Sequence, residues 1–115
     1  MLDQLTLFQK TYDFLIFLKP TIQRFAKVHK YSLGIQLENG VLDLLKKIIR
    51  ANLKKENKAE FIEECIVSYE ALRILIRVAK NFNVLNLRQY ELAAQKLEEI
   101  GRLLGGWYKK FSWFF

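Results

Sequence analysis

NLRQYELAAQKLEEIGRLLGGW, residues 86–107, reads as a helix whose start and buried seam are both encoded. Asn86 with Gln89 three residues on forms a capping box, in which each side chain satisfies the other residue's backbone N–H. From Tyr90 the apolar residues Ala93, Leu97, Ile100, Leu104, Trp107 and Phe111 recur at alternating steps of three and four, the spacing of a heptad seam. Gly101 and Gly105 lie one turn apart within it. Each costs about 1 kcal/mol of helix propensity relative to Ala, and close approach of another backbone is the expected return.

Working outward, the rest of the chain repeats this grammar. Residues 58–81 form a helix with a second capping box at Asn57 and Glu60 and a C-terminal left-handed residue expected at Asn81. Its main face carries Phe61, Cys65, Tyr69, Leu72, Ile76 and Ala79, broadened by Ile62, Ile66, Ile74 and Val78. Residues 32–53 form another, with Ser32 as N-cap and Leu33, Leu37, Val41, Leu44, Leu45 and Ile48 on its main face. Leu42 and Ile49 extend that face beyond one intramolecular groove, which points to contacts between copies. Residues 6–27 form the first helix, with Phe8, Tyr12, Leu15, Leu18 and Ile22 as a stripe widened by Phe14, Phe17 and Phe25. Pro20 should kink or split it. Short loops at 28–31, 54–57 and 82–85 force antiparallel neighbours, so the expected fold is all-α, an up-down-up-down four-helix bundle over residues 1–115.

Composition narrows the function. Nineteen Lys and Arg against 12 Asp and Glu give a formal charge of +7, which favours a polyanionic partner. The cations are placed unevenly. Lys46, Lys47, Arg50, Lys54 and Lys55 crowd the end of the second helix, while Arg73, Arg77 and Lys80 form a stripe at i, i+4 and i+7 on the third. Complementing the helix dipole explains part of both runs. Two arginines a turn apart also match the spacing of phosphates with bidentate donors, so Arg73, Arg77 and Lys80 are the leading nucleic-acid-binding candidates, followed by Arg50 and Lys54.

Catalysis finds no foothold in the pattern. There is no glycine-rich phosphate loop, nucleophile motif or helical Glu-x-x-His pair, and the adjacent Glu63-Glu64 and Glu98-Glu99 diverge by about 100° around a helix. Lone Cys65 and lone His29 imply no disulfide, metal or other cofactor. The start, MLDQLTLFQK, lacks signal-peptide character and no apolar run is long enough to span a bilayer, so a cytoplasmic protein is expected. The tail Trp107, Tyr108, Phe111, Trp113, Phe114, Phe115, with Lys109 and Lys110 interleaved, in part continues the seam, but its last three residues exceed what the end of a small bundle can bury. A partner, a neighbouring subunit, nucleobases or a lipid interface could receive them; otherwise they are disordered terminal residues.

LRILIRVAKNFNVLNLRQYELAAQKLEEIGRLLGGW, residues 72–107, resembles the C-terminal half of the accessory variability determinant of diversity-generating retroelements. The most specific parts are Leu72-Arg73 with Arg77, and EIGRLLGGW at 99–107. YSLGIQLENGVLDLLKKIIRAN, residues 31–52, fits that family's second helix, whereas the first helix matches only in pattern. The resemblance implies a pentameric barrel with a basic channel that binds RNA or DNA and the retroelement's reverse transcriptase during mutagenic copying of a template RNA. It assigns Arg73 and Arg77 to functional basic positions and Arg102 to the EIGRLLG-type motif, although Arg102 could instead pair with Glu38 or Asp43. A distant similarity to four-helix-bundle proteins of ribosomal RNA intervening sequences supplies an alternative, and a generic helical interaction module a third.

Overall fold

Five helices follow one another in the structure, a computed structural model that describes residues 2–112, with side chains from Gln4 onward. They are α1 (Leu2–Gln23), α2 (Lys27–Lys30), α3 (Leu33–Leu53), α4 (Lys58–Asn81) and α5 (Leu87–Ser112). The four long ones make an antiparallel bundle in which α1 packs on α3, α3 on α4, α4 on α5 and α5 back on α1. Its extents are 47 × 22 × 21 Å. One end of the bundle carries the start of α1, the α3–α4 turn and the end of α5; the other carries α2 and the α4–α5 turn.

The heptad seam of α5 holds as read: Ala93, Leu97, Ile100, Leu104 and Trp107 are buried, and Tyr90 and Phe111 pack against the core at its two ends. On α1 the reading was a strip off. The buried line is Leu7, Thr11, Phe14, Leu18 and Ile22, with Tyr12 exposed and Phe8 and Leu15 only partly covered. Apolar count alone favoured Tyr12 over Thr11, but Thr11 enters the core because its hydroxyl donates to the Leu7 carbonyl at 2.9 Å, leaving no unpaired group. α1 is not split at Pro20; it continues one turn further, to Gln23. The expected loop at 28–31 holds most of the short helix α2, and Gly34 packs where α1 and α2 meet: a Cβ there would lie 2.8 Å from the Ile22 side chain of α1 and 3.4 Å from the His29 carbonyl of α2.

Helix ends differ in instructive ways. The Asn86/Gln89 box forms in full, with the Asn86 amide donating to Gln89 Oε1 at 2.9 Å and the Gln89 amide to Asn86 Oδ1 at 2.8 Å. No such box forms at Asn57 and Glu60. Asn57 sits in the left-handed region at φ 56°, its side chain caps nothing, and the Glu60 amide bonds the Asn57 carbonyl instead. Ser32 also turns away from its N-cap role and donates to the Val28 carbonyl at 2.7 Å. At the end of α4 the left-handed residue is Asn83 (φ 60°), two beyond Asn81. The Val84 amide reaches Ala79 O and the Asn83 amide Lys80 O, a Schellman closure.

Polar ties fix the pairing of helices. Lys47 donates to Ser68 Oγ at 2.7 Å, Ser68 donates to Asp43 Oδ2 at 2.8 Å, and Lys47 pairs with Asp43 at 3.3 Å, binding α3 to the buried Ser68 of α4. Lys19–Glu38 joins α1 to α3, and Lys10–Glu99 joins α1 to α5.

Candidate nucleic-acid interface

The core face of α4 turns Tyr69 toward α5, and Gly101 is what admits it. A Cβ on Gly101 would lie 2.7 Å from Tyr69 Cζ and would overlap the phenol oxygen. The side chain of Tyr69 thus occupies the space that the sequence suggested for a second backbone. Its hydroxyl donates to the Leu97 carbonyl at 2.8 Å, one turn before Gly101, where the missing side chain leaves that carbonyl open to a second donor. Gly105 has no such role, since no other part of the chain among the described residues approaches its Cβ position within 4 Å.

Above this contact lies a groove of about 500 Å3 between α4 and α5. α4 contributes Tyr69, Glu70, Arg73, Ile76 and Arg77, and α5 contributes Tyr90, Ala94, Leu97, Glu98, Gly101 and Arg102. Three guanidiniums therefore face one depression. Arg73 is held: one of its terminal nitrogens lies 3.1 Å from both oxygens of Glu70, and the guanidinium carbon is 5.8 Å from the Tyr69 ring centre. The hydrogen bond to Glu70 pushes the Arg73 pKa up, so its charge is permanent. Burial pushes the Tyr69 phenol up, against the lowering influence of Arg73, and keeps it a donor. Arg77 and Arg102 make no hydrogen bond or ion pair with the described residues, which leaves their donors available. The alternative partners of Arg102 are occupied elsewhere, Glu38 by Lys19 and Asp43 by Lys47 and Ser68.

Lys80 continues the stripe beyond the groove, with its ammonium 4.7 Å from the centre of the Tyr90 ring. Arg50 and Lys54 do not join it. They lie beside the start of α4, so nearly the whole of that helix, about 33 Å from Lys58 to Lys80 at 1.5 Å per residue, separates Lys54 from Lys80. Lys54 lies 4.8 Å over Phe61. The five candidates thus fall into two groups at opposite ends of a protomer, and α4 joins them with its acidic first half, Glu60, Glu63 and Glu64, between.

Lys58 belongs to the second group and was not anticipated. It donates to the carbonyls of Ala51 and Asn52 at 3.0 Å each, closing the C-terminus of α3, and lies 5.5 Å from the Phe111 ring and 6.0 Å from that of Trp107. Burial pushes its pKa down. Its signal in the sequence is faint, a cation five residues past a helix end that could serve either neighbouring helix. Tyr69, Tyr90 and Arg102 were also absent from the leading candidates, because a groove between two helices has no signature along either one.

Among the described residues, no three His, Cys, Asp or Glu side chains gather to hold a metal, and no helix is long and apolar enough to cross a membrane. Residues 113–115 of the aromatic tail lie outside the described residues. The groove combines fixed positive charge, two unengaged guanidinium forks and aromatic walls, which suits phosphate-bearing ligands. Comparison with curated proteins returned no match. The family model described as bAvd-like matches residues 5–111, and with nearly the whole chain covered, this protein belongs to that family of Avd-type accessory proteins.

Proposed function

We propose that this chain is a non-catalytic accessory protein of a diversity-generating retroelement, acting in the cytoplasm, where it binds the template RNA or its cDNA together with the reverse transcriptase. The observation that carries nucleic-acid binding is the α4–α5 groove, with Arg77 and Arg102 unengaged on facing helices and Arg73 fixed between them. Phosphate contacts of this kind are indifferent to sequence, as an accessory of mutagenic copying requires. Self-association into a ring, a pentamer by family resemblance, is supported by the apolar side chains left outside: Ile35, Leu42, Ile49 and Leu53 follow one line on α3, and Val67 and Ile74 lie on α4 with Phe82 just past its end. A ring would repeat the groove around its axis and multiply the phosphate contacts.

Titration of labelled single-stranded RNA and DNA at several salt concentrations tests the reading. Log affinity should fall with log salt by about 0.7–0.9 per phosphate contacted. Arg77→Glu with Arg102→Glu should weaken binding to every sequence and flatten that slope, with helicity and mass unchanged. Arg73→Glu should do less than Arg77→Glu, since Arg73 is already shared with Glu70. An unchanged affinity and slope in the double variant would remove the groove from consideration. Co-purification with the reverse transcriptase of the same retroelement tests the second partner, and light scattering at five times the 13.7 kDa chain mass tests the pentamer.

A further inference from the structure

The bundle carries its charge unevenly along its length. Residues 20–37 and 71–90, which make up the end where α2 and the α4–α5 turn lie, contain seven Lys and Arg and no Asp or Glu. Arg24, Lys27 and Lys30 stand on one side of this end, and Lys80 and Arg88 on the other. Among these cations four large apolar side chains are left outside: Val28, Tyr31, Phe82 and Leu87 are 61–72% exposed. Leu85 already closes the core at the α4–α5 turn, so the four are surplus to it.

Two of them are aromatic, and they stand on neighbouring helix ends. A Cβ on Gly40 would lie 3.3 Å from the Leu72 side chain and 3.9 Å from that of Leu75, which fixes the register of α3 against α4. Followed toward this end, that register brings Tyr31, two residues before α3 starts, level with Phe82, one residue after α4 stops. The two helices pack directly on each other, and axes in such contact are about 8–10 Å apart. Phe17, Phe61, Tyr69 and Tyr90 each lie under a Lys or Arg. Tyr31 and Phe82 meet no cation and no other ring among the described residues.

The basic stripe of α4 leads to these rings. Arg73 and Arg77 line the α4–α5 groove, Lys80 follows about a turn on, and Phe82 comes next. Eight residues at 3.6 per turn place Phe82 about 80° around α4 from Ile74, so a subunit seated on Val67 and Ile74 need not cover it. We infer that this end of the bundle is a stacking platform for unpaired bases: Tyr31 and Phe82 receive bases of a single strand whose phosphates follow the groove arginines and Lys80. Every base offers a flat face to an aromatic ring whatever its identity, whereas a duplex keeps those faces inside its own stack. The inference rests on the nucleic-acid binding proposed above and gives it a form, single strand in preference to duplex.

The test compares one labelled single-stranded RNA with the hairpin duplex of the same composition. The paired change Tyr31→Ser, Phe82→Ser, on two largely exposed side chains, should weaken single-strand binding about tenfold or more. Duplex affinity and the salt slope should stay as they are, because the rings contact no phosphate. Tyr31→Phe with Phe82→Tyr keeps both rings and should keep the affinity. A 2-aminopurine base in the strand should be quenched by the unaltered chain and not by the serine variant. Unchanged single-strand affinity in the serine variant, or an equal loss for strand and duplex, would overturn the platform while leaving the groove reading in place. Absence of binding by the unaltered chain to either form would overturn both. A fall in mass of the serine variant by light scattering would place the rings between copies. Binding to phosphatidylserine vesicles that is lost in the serine variant, with single-strand affinity kept, would give this end to a lipid surface. Either of these last two results refutes the platform.

Discussion

Two glycines one turn apart on the same seam should respond to alanine in opposite directions. At Gly105 a methyl group meets nothing within 4 Å among the described residues, so Gly105→Ala should register the helix-propensity gain alone, about 1 kcal/mol. At Gly101 the same methyl group would stand 2.7 Å from Tyr69 Cζ, well inside van der Waals contact. The tyrosine must move, and in moving it gives up its hydrogen bond to the Leu97 carbonyl. Overpacking costs about 1–3 kcal/mol and the lost bond about 0.5–1.5 kcal/mol. Against a propensity gain of about 1 kcal/mol, the net for Gly101→Ala is a loss of about 1–3 kcal/mol.

For a chain of this length about 4 °C of Tm accompanies each kcal/mol, so Gly101→Ala should melt about 4–12 °C lower and Gly105→Ala about 4 °C higher. Thermal melts by circular dichroism at one fixed protein concentration read both. The cause is isolated by repeating Gly101→Ala in a Tyr69→Leu background, which removes the atoms that clash. There the alanine should become neutral or stabilising, giving a coupling of about 1–3 kcal/mol between the two positions. Equal stabilisation by alanine at 101 and 105 would refute the packing of Tyr69 against Gly101. So would a Gly101→Ala penalty that persists in full without the tyrosine ring.

Asn83 holds the left-handed position of the α4 closure at φ 60°, where an L side chain without a local polar group costs about 1–2 kcal/mol. Asn83→Ala should therefore lower the urea midpoint by an amount equivalent to about 1 kcal/mol, whereas Asn83→Gly should be neutral or better. Cys65 is buried in the core, and its thiol pKa is pushed up to about 12, chiefly by that burial. Its contribution to stability is complete below the unfolded value near 9 and is lost as pH rises from there to about 12, because the unfolded chain releases the proton first. Stability of the parent should fall more steeply than that of Cys65→Ala over that window, and thiol labelling of the folded protein at neutral pH should proceed at the rate of unfolding.

Where one helix sets its own local chemistry, the sequence was enough. Asn86 and Gln89 are three apart on one chain and need no third party, and the seam from Ala93 to Trp107 is dictated by its own spacing. The capping box at Asn57 failed on a tertiary constraint. Its residue must also reverse the chain between α3 and α4, and the left-handed conformation that achieves this aims its side chain away from the helix. Thr11 displaced Tyr12 for a comparable reason, since a hydroxyl that can bond the preceding turn counts as nearly apolar once inside.

The basic site was legible in its charges and illegible in its geometry. Arg73, Arg77 and Lys80 stand out on α4 by periodicity, yet periodicity cannot say that Glu70 engages the first of them or that Arg102 faces them from a helix that begins after an intervening turn. Two side chains absent from the charge count set that geometry. Tyr69 and Gly101 fix the separation of α4 and α5 at the floor of the groove, so the guanidiniums above inherit their spacing from a contact made in the core. Nucleic-acid affinity should then depend on an uncharged residue. Gly101→Ala, at a temperature where the variant remains folded, should alter phosphate binding through the spacing of Arg77 and Arg102 although no charge has changed, while Gly105→Ala, on the same helix and equally conservative, should leave it intact.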